Sequence, residues 1–286
     1  MPSQPLPATA VPAADDALWD TLRRIGAHFA RPGAGPWQGL LADGSRLDVA
    51  PGGRWQASRR LPEPVVAWLE LYLPLAAAAG SFVIAHLGQS LDGCIATASG
   101  DACFVTGPEN LDHLHRLRAL ADAVLVGAGT VASDDPRLTV RRCRGTHPVR
   151  VVLDRHGRAP RQARVFTDGA APTLWVRPAA AAPAPCVDSL DVPMAVGGDL
   201  DLRALRAALA ARGLPRIFVE GGGVTVSAFL AQRALDRLHL TVAPVLIGAG
   251  RPGVVVPPAP QMADAWRLQG RVHRQGTDVL FDCLPP

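Results

Sequence analysis

The feature that most constrains the fold is an alternation, from Ser81 onward, of short apolar runs with segments of helical periodicity. Apolar runs bounded by turn residues predict strands, and strands that alternate with helices are typical of an α/β sheet domain. The predicted strands lie in SFVIAHL, DAVLVGAG, PVRVVLD, PTLWVRP, RIFVEGG, RLHLTVAPVLIG and TDVLFDCL. Between them, PENLDHLHRLRALAD and LDLRALRAALAARG carry leucines at the three-or-four spacing of an amphipathic helix.

The sequence before Ser81 differs in character. Residues 1–16 are rich in proline and alanine, and we expect them to be disordered because they offer little apolar surface to bury. Residues 17–80 hold four of the six tryptophans, an amphipathic segment ALWDTLRRIGAHF and several glycine and proline turns, which predicts a small separate unit of unknown role. The predicted organisation is a tail over 1–16, this unit over 17–80 and one large domain over 81–286.

Composition excludes several functional classes. The chain has no lysine, which rules out a Schiff-base lysine and a phosphate-loop lysine. Its five cysteines are scattered, with no C-x-x-C pair, so we expect neither a disulfide framework nor a metal site. The net charge of +4 comes from arginines spread over the whole chain, which argues against a nucleic-acid partner. Without a basic leader or a long uncharged apolar segment, we expect a cytoplasmic protein with no membrane partner.

Two predicted strands run directly into glycine-rich turns that open helices, at AVLVGAGTV (123–131) and IFVEGGGVTVSAFL (217–230). Such a turn presents unpaired backbone N–H groups without obstructing side chains, and this favours phosphate oxygens. The second turn is the better candidate, since Thr225 and Ser227 add hydroxyl groups to three consecutive glycines. Neither turn contains G-x-G-x-x-G or the phosphate-loop motif, and a plain tight turn is the alternative interpretation.

Three groups of polar residues accompany these turns. Glu220 ends the strand before the second turn, where ligands gather in open α/β sheets, although strand-end glutamates are often only solvated. Ser90 and Asp92 follow a predicted buried strand. The loop after the first turn contains VASDDPRLTVRR, whose Asp-Asp-Pro element is also a simple turn signal.

Six motifs occur in a fixed order over residues 81–286: SLDG, TGPE with HRLRA, DAVLVGAGTV, DDPRLTVR, PVRVVLD, and VEGGG followed by LTVAPVLIGAG. In this order they resemble the pyrimidine reductase family of riboflavin biosynthesis, whose fold is similar to that of dihydrofolate reductase. The resemblance implies an α/β protein with a mixed sheet flanked by helices, and a small N-terminal appendage. The zinc deaminase signature of the bifunctional members, H-x-E followed by P-C-x-x-C, is absent from the N-terminal segment, so no deaminase activity is expected.

The resemblance also implies roles for individual residues. The substrate would face Arg118, Leu138, Arg141 and Glu220; the two arginines suit a sugar phosphate, and Glu220 could accept hydrogen bonds from pyrimidine amino groups. Arg155 and Arg158 follow a strand where they could bind a 2′-phosphate, which favours NADPH over NADH, although the family usually has a small hydroxyl residue in place of Arg155. The nicotinamide dinucleotide would contact Gly88, Thr130, Asp134, Gly222, Gly223, Val224, Thr225, Val226 and Ser227.

The implied reaction is hydride transfer from the nicotinamide C4 to the sugar C1′ of an opened ribosylamine, which gives a ribitylamino pyrimidine. The cofactor carries the hard chemistry, so we expect no protein nucleophile and no metal. Asp92 and Glu220 are the candidates for assisting protonation, and the sequence does not choose between them. A homodimer is expected by resemblance, with LHLTVAPVLIG and DVLFDCL contributing to its interface.

Three residues depart from the family pattern. His86 stands where a lysine commonly precedes SLDG, Phe104 replaces a tryptophan, and Ala102 replaces a serine that faces the substrate. The loss of a cation and a hydroxyl can redirect specificity, because a buried pocket rejects ligands that leave its polar groups unpaired. Two alternatives therefore stay open: a reductase of the same fold for another pyrimidine-derived or specialised metabolite, and a non-catalytic nucleotide-binding module.

Overall fold

The alternating strands and helices assemble around one ten-stranded mixed sheet. A computed structural model describes residues 8–10, 16–103, 105–178 and 188–286. Its elements are β1 (Ala8–Ala10), α1 (Asp16–Phe29), β2 (Trp37–Leu40), β3 (Arg46–Val49), β4 (Trp55–Ala57), α2 (Glu63–Ala76), β5 (Phe82–Ser90), β6 (Cys94–Ala96), α3 (Pro108–Leu120), β7 (Ala123–Gly127), α4 (Ala128–Asp134), β8 (Val149–Leu153), α5 (Arg164–Thr167), β9 (Thr173–Pro178), β10 (Asp188–Val192), α6 (Leu202–Ala211), β11 (Arg216–Glu220), α7 (Gly223–Ala231), β12 (Arg237–Ala243), β13 (Arg251–Pro252), β14 (Gln269–Gln275) and β15 (Asp278–Leu284).

The main sheet has the strand order β1-β14-β15-β12-β5-β11-β7-β8-β9-β10. The strands from β12 to β10 in this order run parallel, whereas β15 is antiparallel to both of its neighbours. All seven predicted strands are present, and the predicted fold class, an α/β protein with a mixed sheet flanked by helices, is confirmed. The parallel strands β5, β11, β7 and β8 end at one edge of the sheet, which is where ligands bind in such sheets.

Each face of the sheet is covered by its own set of helices, because side chains alternate between the faces along a strand. On one face, Val83 and Val219 belong to an apolar cluster with Leu205 and Leu209 of α6 and Phe229 of α7. On the other face, strand residues pack in a second cluster with leucines of α1, α2 and α3; its members include Ile84, Phe218, Leu22, Leu69 and Leu117. Both faces of the central strands are therefore buried.

The N-terminal unit predicted over residues 17–80 packs against the sheet, because α1 and α2 contribute to the same apolar cluster as the central strands. Trp19 and Trp68, exposed by only 3% and 0%, act as core anchors in this cluster. An amphipathic helix gains stability only when its apolar stripe is covered, and here the sheet covers it. The small antiparallel sheet β2-β3-β4 completes the unit. Residues 17–80 are thus an integral layer of the fold.

Within the tail predicted over residues 1–16, the structure describes Ala8–Ala10, which pair in parallel with β14, and Asp16, where α1 begins. Pairing with β14 satisfies backbone N–H and carbonyl groups of β1. Residues 1–7 and 11–15 lie outside the described part of the chain. Among the residues that the structure describes, no helix combines the length and apolar character needed to cross a bilayer.

Candidate active site

The two glycine-rich turns lie side by side at the carboxyl ends of neighbouring strands. β7 and β11 are paired, and the turns that follow them open α4 and α7. The hydroxyl of Thr130 in α4 accepts a hydrogen bond from the Gly222 N–H at 3.3 Å, which joins the two turns directly. Among the residues that the structure describes, no side chain caps α7, so the N–H groups of Gly223 and Val224 are available to a ligand. Gly222, Gly223 and Thr130 therefore meet at one place, as the resemblance implies.

Close packing explains one glycine in each of the two turns. A Cβ on Gly223 would lie 2.1 Å from the carbonyl oxygen of Gly253, and one on Gly127 would lie 2.6 Å from the Thr225 hydroxyl. Any side chain at either position would displace the neighbouring group. The turn is consequently bare backbone, flanked by the loop around Gly253 on one side and by Thr225 on the other.

The remaining residues assigned to the second turn have different surroundings. Val224 is exposed, and its position at the start of α7 keeps it beside the uncapped N–H groups. Val226 is fully buried in the core, and the Ser227 hydroxyl accepts a hydrogen bond from the Val255 N–H at 2.8 Å. Val226 and Ser227 thus anchor α7 to the core and to the loop at Val255, whereas Val224 and Thr225 lie in the first turn of the helix.

The other candidate cofactor residues surround the turns. Gly88 lies on β5, where a Cβ would come within 2.7 Å of a Thr106 methyl group, so glycine allows this close approach. Asp134 ends α4 with an exposed carboxylate that accepts a hydrogen bond from Ser133 at 2.6 Å. These contacts do not indicate a particular ligand, so Gly88 and Asp134 stay candidate cofactor residues only because they lie near the glycine turns.

The turn after β8 presents two exposed arginines. The buried Asp154 carboxylate accepts hydrogen bonds from the N–H groups of Arg158 at 2.8 Å and Ala159 at 2.9 Å, which shapes this turn. Arg155 donates to the Gly198 carbonyl at 3.1 Å and pairs with Asp199, whereas the Arg158 side chain is solvent-exposed. Because β8 is the neighbour of β7, this basic turn lies at the same sheet edge as the first glycine turn.

The candidate substrate residues centre on a buried ion pair. Arg118 of α3 donates from Nε to Glu220 Oε2 at 2.6 Å and from Nη2 to Glu220 Oε1, a bidentate arrangement. Its Nη1 donates to the Thr139 carbonyl at 2.9 Å. The side chains of Arg118 and Glu220 are only 8% and 18% exposed. Burial tends to lower the pKa of Arg118, but the Glu220 carboxylate outweighs burial and raises it.

Arg141 is the more available cation of the two predicted substrate arginines. It is exposed and donates to the Thr139 hydroxyl at 2.6 Å, a neutral partner. Burial, and then the positive charges of Arg118 and Arg137, lower the pKa of Arg141, so the region is strongly electropositive. Leu138 is 1% exposed and adopts a left-handed backbone conformation with φ 55°. Such strain in a non-glycine residue occurs often at functional sites.

Asp92 has a full set of local partners. Its carboxylate accepts hydrogen bonds from the Ser90 hydroxyl at 2.5 Å and from the N–H groups of Gly248 at 2.6 Å and Ile247 at 3.1 Å. The Ser90 bond, followed by these backbone bonds, lowers the pKa of Asp92 to about 2. A carboxylate that is ionised at neutral pH and committed to loop amides is suited to holding a loop and poorly suited to delivering a proton.

His86 lies beside Glu220 in the sheet, since the two residues are paired in register on β5 and β11. Its Nε2 lies 2.8 Å from the Asn110 carbonyl oxygen and 3.1 Å from the Thr241 hydroxyl. Because the amide oxygen is an acceptor, Nε2 carries a hydrogen, and the lowered pKa of the ring makes it neutral at pH 7. Burial, and then the nearby His239, lower the pKa of His86 to about 3. Ala102 is exposed in a loop, and Phe104 lies outside the described residues.

A buried polar chain behind this position was not anticipated from the sequence. Tyr72 Oη lies 2.9 Å from His113 Nδ1, and His113 Nε2 lies 2.9 Å from His239 Nδ1. His239 Nε2 is 3.2 Å from the Asp282 carboxylate, in an off-line orientation that makes the contact electrostatic. The available signal was His113 in the middle of α3, because a histidine that is buried in a helix needs hydrogen-bond partners.

Comparison with known proteins identifies the family of the large domain. The family model described as the RibD C-terminal domain matches residues 81–280. The chain is 35% identical over 211 residues to the 2,5-diamino-6-ribosylamino-4(3H)-pyrimidinone 5′-phosphate reductase of Methanothermobacter thermautotrophicus, covering 70% of this chain and 96% of that protein.

Two further relatives extend the comparison. Riboflavin biosynthesis protein RibD of Mycobacterium tuberculosis is 34% identical over 251 residues, covering 86% of this chain and 61% of that protein. The solved structure of RibD from Acinetobacter baumannii superposes with a TM-score of 0.62 at 25% identity, covering 78% of this chain and 64% of that chain. The chain thus spans less than two thirds of these two RibD proteins.

Proposed function

Because this chain belongs to the RibD C-terminal domain family, we propose that it is an NADPH-dependent reductase of a phosphorylated ribosylamino pyrimidine. The observation that carries the proposal is the buried Arg118–Glu220 pair, which lies at the sheet edge beside the two joined glycine turns. A fixed carboxylate next to a phosphate-binding backbone suits an amino-pyrimidine and a dinucleotide that meet at one point.

The residues at the turns fit a nicotinamide dinucleotide. The uncapped start of α7, with Gly222, Gly223 and exposed Val224, would hold the pyrophosphate, and Thr130 and Thr225 would border it. When bound, the cofactor supplies the hydride. We assign Arg158 and Arg155 to the 2′-phosphate, which is the part of the proposal that distinguishes NADPH from NADH. Arg158 is the stronger candidate, because Arg155 already pairs with Asp199.

In this proposal the two arginines, Arg118 and Arg141, have different roles in binding the substrate. Arg118 has three of its donors directed to Glu220 and Thr139, so its task is to orient the Glu220 carboxylate. Glu220 in turn accepts hydrogen bonds from the pyrimidine amino groups. Arg141, exposed and next to Arg137, binds the substrate phosphate. The resemblance gave Arg118 and Arg141 similar roles, and their different hydrogen bonding favours this separation.

Glu220 is the better placed of the two candidate carboxylates for the reacting sugar, because it ends β11 directly before the joined glycine turns. Asp92 is occupied by Ser90 and by the N–H groups of Ile247 and Gly248, which leaves it a structural role. We therefore assign Glu220 the position next to the reacting sugar C1′ and assign Asp92 the support of the adjoining loop.

One observation favours a second candidate, a reductase of the same fold for another pyrimidine-derived metabolite. His86 is neutral, fixed by Asn110 and Thr241, and adjacent to Glu220, so this side of the pocket has no cation from β5. A substrate with a hydrogen-bond donor facing His86 would suit this pocket better than one with an anionic group there.

The test is a paired binding and turnover experiment with the purified protein. NADPH is expected to raise the melting temperature and to be oxidised when the diaminopyrimidine ribosylamine phosphate is added. Absence of any NADPH binding would refute both reductase proposals and favour the non-catalytic alternative. Binding of NADPH without oxidation by this substrate would favour the second candidate. A homodimer and a cytoplasmic location stay predictions.

A further inference from the structure

The segment of residues 136–148, between α4 and β8, carries both Leu138 and Arg141 and has an irregular backbone. Among the residues that the structure describes, no backbone-to-backbone hydrogen bond joins this segment to the rest of the chain. A segment without backbone pairing satisfies its N–H and carbonyl groups with side chains or water, and its side-chain contacts fix its position. The partners of this segment therefore decide where the Arg141 guanidinium lies.

Helix α3 holds the segment from one side. The Arg141 N–H donates to His115 Nδ1 at 2.8 Å, and Arg118 donates to the Thr139 carbonyl at 2.9 Å. His115 and Arg118 are three positions apart and thus share one side of the helix. His115 is 5% exposed, so the acceptor that it offers to the Arg141 N–H is held in place by the surrounding packing. Within the segment, His147 Nδ1 also accepts from the Val140 N–H at 3.2 Å.

Helix α1 of the N-terminal unit holds the segment from the other side. The buried Trp19 indole donates from Nε1 to the Arg144 carbonyl at 2.9 Å. The Arg144 guanidinium also pairs with Asp20 at 3.0 Å and Asp16 at 3.3 Å. These ion pairs are exposed and contribute little, whereas the indole donor belongs to a side chain that is 3% exposed, so leaving it unpaired is costlier.

We propose that α1 and α3 clamp segment 136–148, and that Trp19 and His115 are positioning residues that hold Arg141 for the substrate phosphate. This inference rests on the proposed function, in which Arg141 binds that phosphate. It also gives residues 17–80 a task beyond burial of the sheet: one helix of this unit supports the substrate site. Neither positioning residue touches the substrate, and each acts through the backbone of the segment.

The His115 contact is tested by two variants that differ in the acceptor. His115→Asn keeps an oxygen near the place of Nδ1, whereas His115→Leu keeps the bulk and removes the acceptor. We expect His115→Leu to speed hydrogen–deuterium exchange in peptides covering 136–148 about tenfold and to raise the KM of the phosphorylated pyrimidine about fivefold. The kcat and the NADPH affinity stay within about twofold of wild type, and His115→Asn restores both the exchange rate and the KM, because it restores the acceptor.

The Trp19 contact has a matched control in the same core. Trp19→Phe removes the indole donor and keeps an aromatic ring, and we expect faster exchange over 136–148 with a higher KM. Trp68 is fully buried, but its Nε1 has no hydrogen-bond partner among the described residues. Trp68→Phe therefore lowers the melting temperature through lost packing and leaves exchange over 136–148 and the KM unchanged.

The outcomes separate the clamp from the proposed function. Unchanged exchange over 136–148 in both His115→Leu and Trp19→Phe would overturn the clamp, whether or not the enzyme is active. Equal effects of Trp68→Phe and Trp19→Phe on exchange and KM would overturn it as well. Faster exchange with an unchanged KM would overturn the positioning role. A wild-type protein that binds no pyrimidine phosphate would refute the proposed function, while the exchange result would still decide the clamp.

Discussion

The ion pair between Arg118 and Glu220 leads to the most informative prediction, which concerns Glu220→Gln. The substitution preserves the shape of the side chain but replaces one carboxylate oxygen with an NH₂ group that faces the guanidinium. The Arg118 charge, in a side chain that is 8% exposed, then loses its counter-charge. Breaking a buried pair on one side costs about 3–5 kcal/mol, and the remaining exposure of Glu220 favours the lower end. We expect a melting temperature lower by roughly 6 °C.

A matched double variant distinguishes the stability lost through the unpaired Arg118 charge from the turnover lost with the Glu220 carboxylate. Arg118→Met combined with Glu220→Gln removes both charges, so the unpaired guanidinium disappears and most of the lost stability is recovered. Turnover is not recovered, because the carboxylate is still missing. Both proteins keep NADPH affinity within about threefold of wild type, since the two side chains are directed at each other and at the Thr139 carbonyl.

The assays are thermal unfolding, NADPH titration and the rate of NADPH oxidation. We expect Glu220→Gln to lower kcat at least about a hundredfold, the size of effect that positioned acid–base groups supply. A Glu220→Gln protein with wild-type turnover would refute the assignment of Glu220. If the double variant is no more stable than Glu220→Gln, the lower melting temperature of Glu220→Gln does not come from an unpaired Arg118 charge.

Three further predictions concern cofactor binding and pH. Arg158→Gln should weaken NADPH binding about tenfold without affecting NADH, and Arg155→Gln should do less; equal losses for both cofactors would contradict the 2′-phosphate assignment. Gly223→Ala should weaken NADPH binding and destabilise the protein by about 1–3 kcal/mol, because its methyl group meets the facing carbonyl oxygen. Burial keeps the pKa of His86 at about 3 and that of His113 well below its usual value, so the unfolded chain binds more protons. Stability should therefore fall below about pH 6.5, and a urea midpoint constant from there to about pH 4.5 would contradict this.

The sheet and the glycine turns could be predicted because they depend on local signals. Apolar runs mark the strands whether or not their neighbours are known, and a glycine turn after a strand already indicates a bare backbone. That β7 and β11 lie side by side is a tertiary fact, yet the resemblance over residues 81–286 implied it. Hence Thr130, Gly222 and Gly223 could be assigned to one site from the sequence.

The roles of the charged residues could not be predicted in the same way. A sequence shows that Arg118 and Asp92 are charged, but the direction of a long side chain depends on which partner lies within reach. Arg118 turns to Glu220 of a strand that follows it by about a hundred residues, and Asp92 turns to amides of a loop more than 150 residues away. Such pairings carry no local signature, and they are the reason why the proposed function gives Arg118 the task of orienting Glu220.

The N-terminal unit shows that the sequence also held a signal for its docking. A parallel strand such as β5 is apolar on both sides, and both faces of such a strand must be covered. Helices α6 and α7 cover one face of the sheet. Of the two helices predicted from their leucine spacing within 81–286, only α3 lies on the other face, and it is too short to cover most of that face alone. The amphipathic segment at 17–29 could therefore be expected to pack beside α3 on that face. In the structure it does so, and this packing places Trp19 Nε1 2.9 Å from the Arg144 carbonyl oxygen. The same packing of α1 on the sheet thus buries the apolar face and, in the proposed clamp, supports segment 136–148.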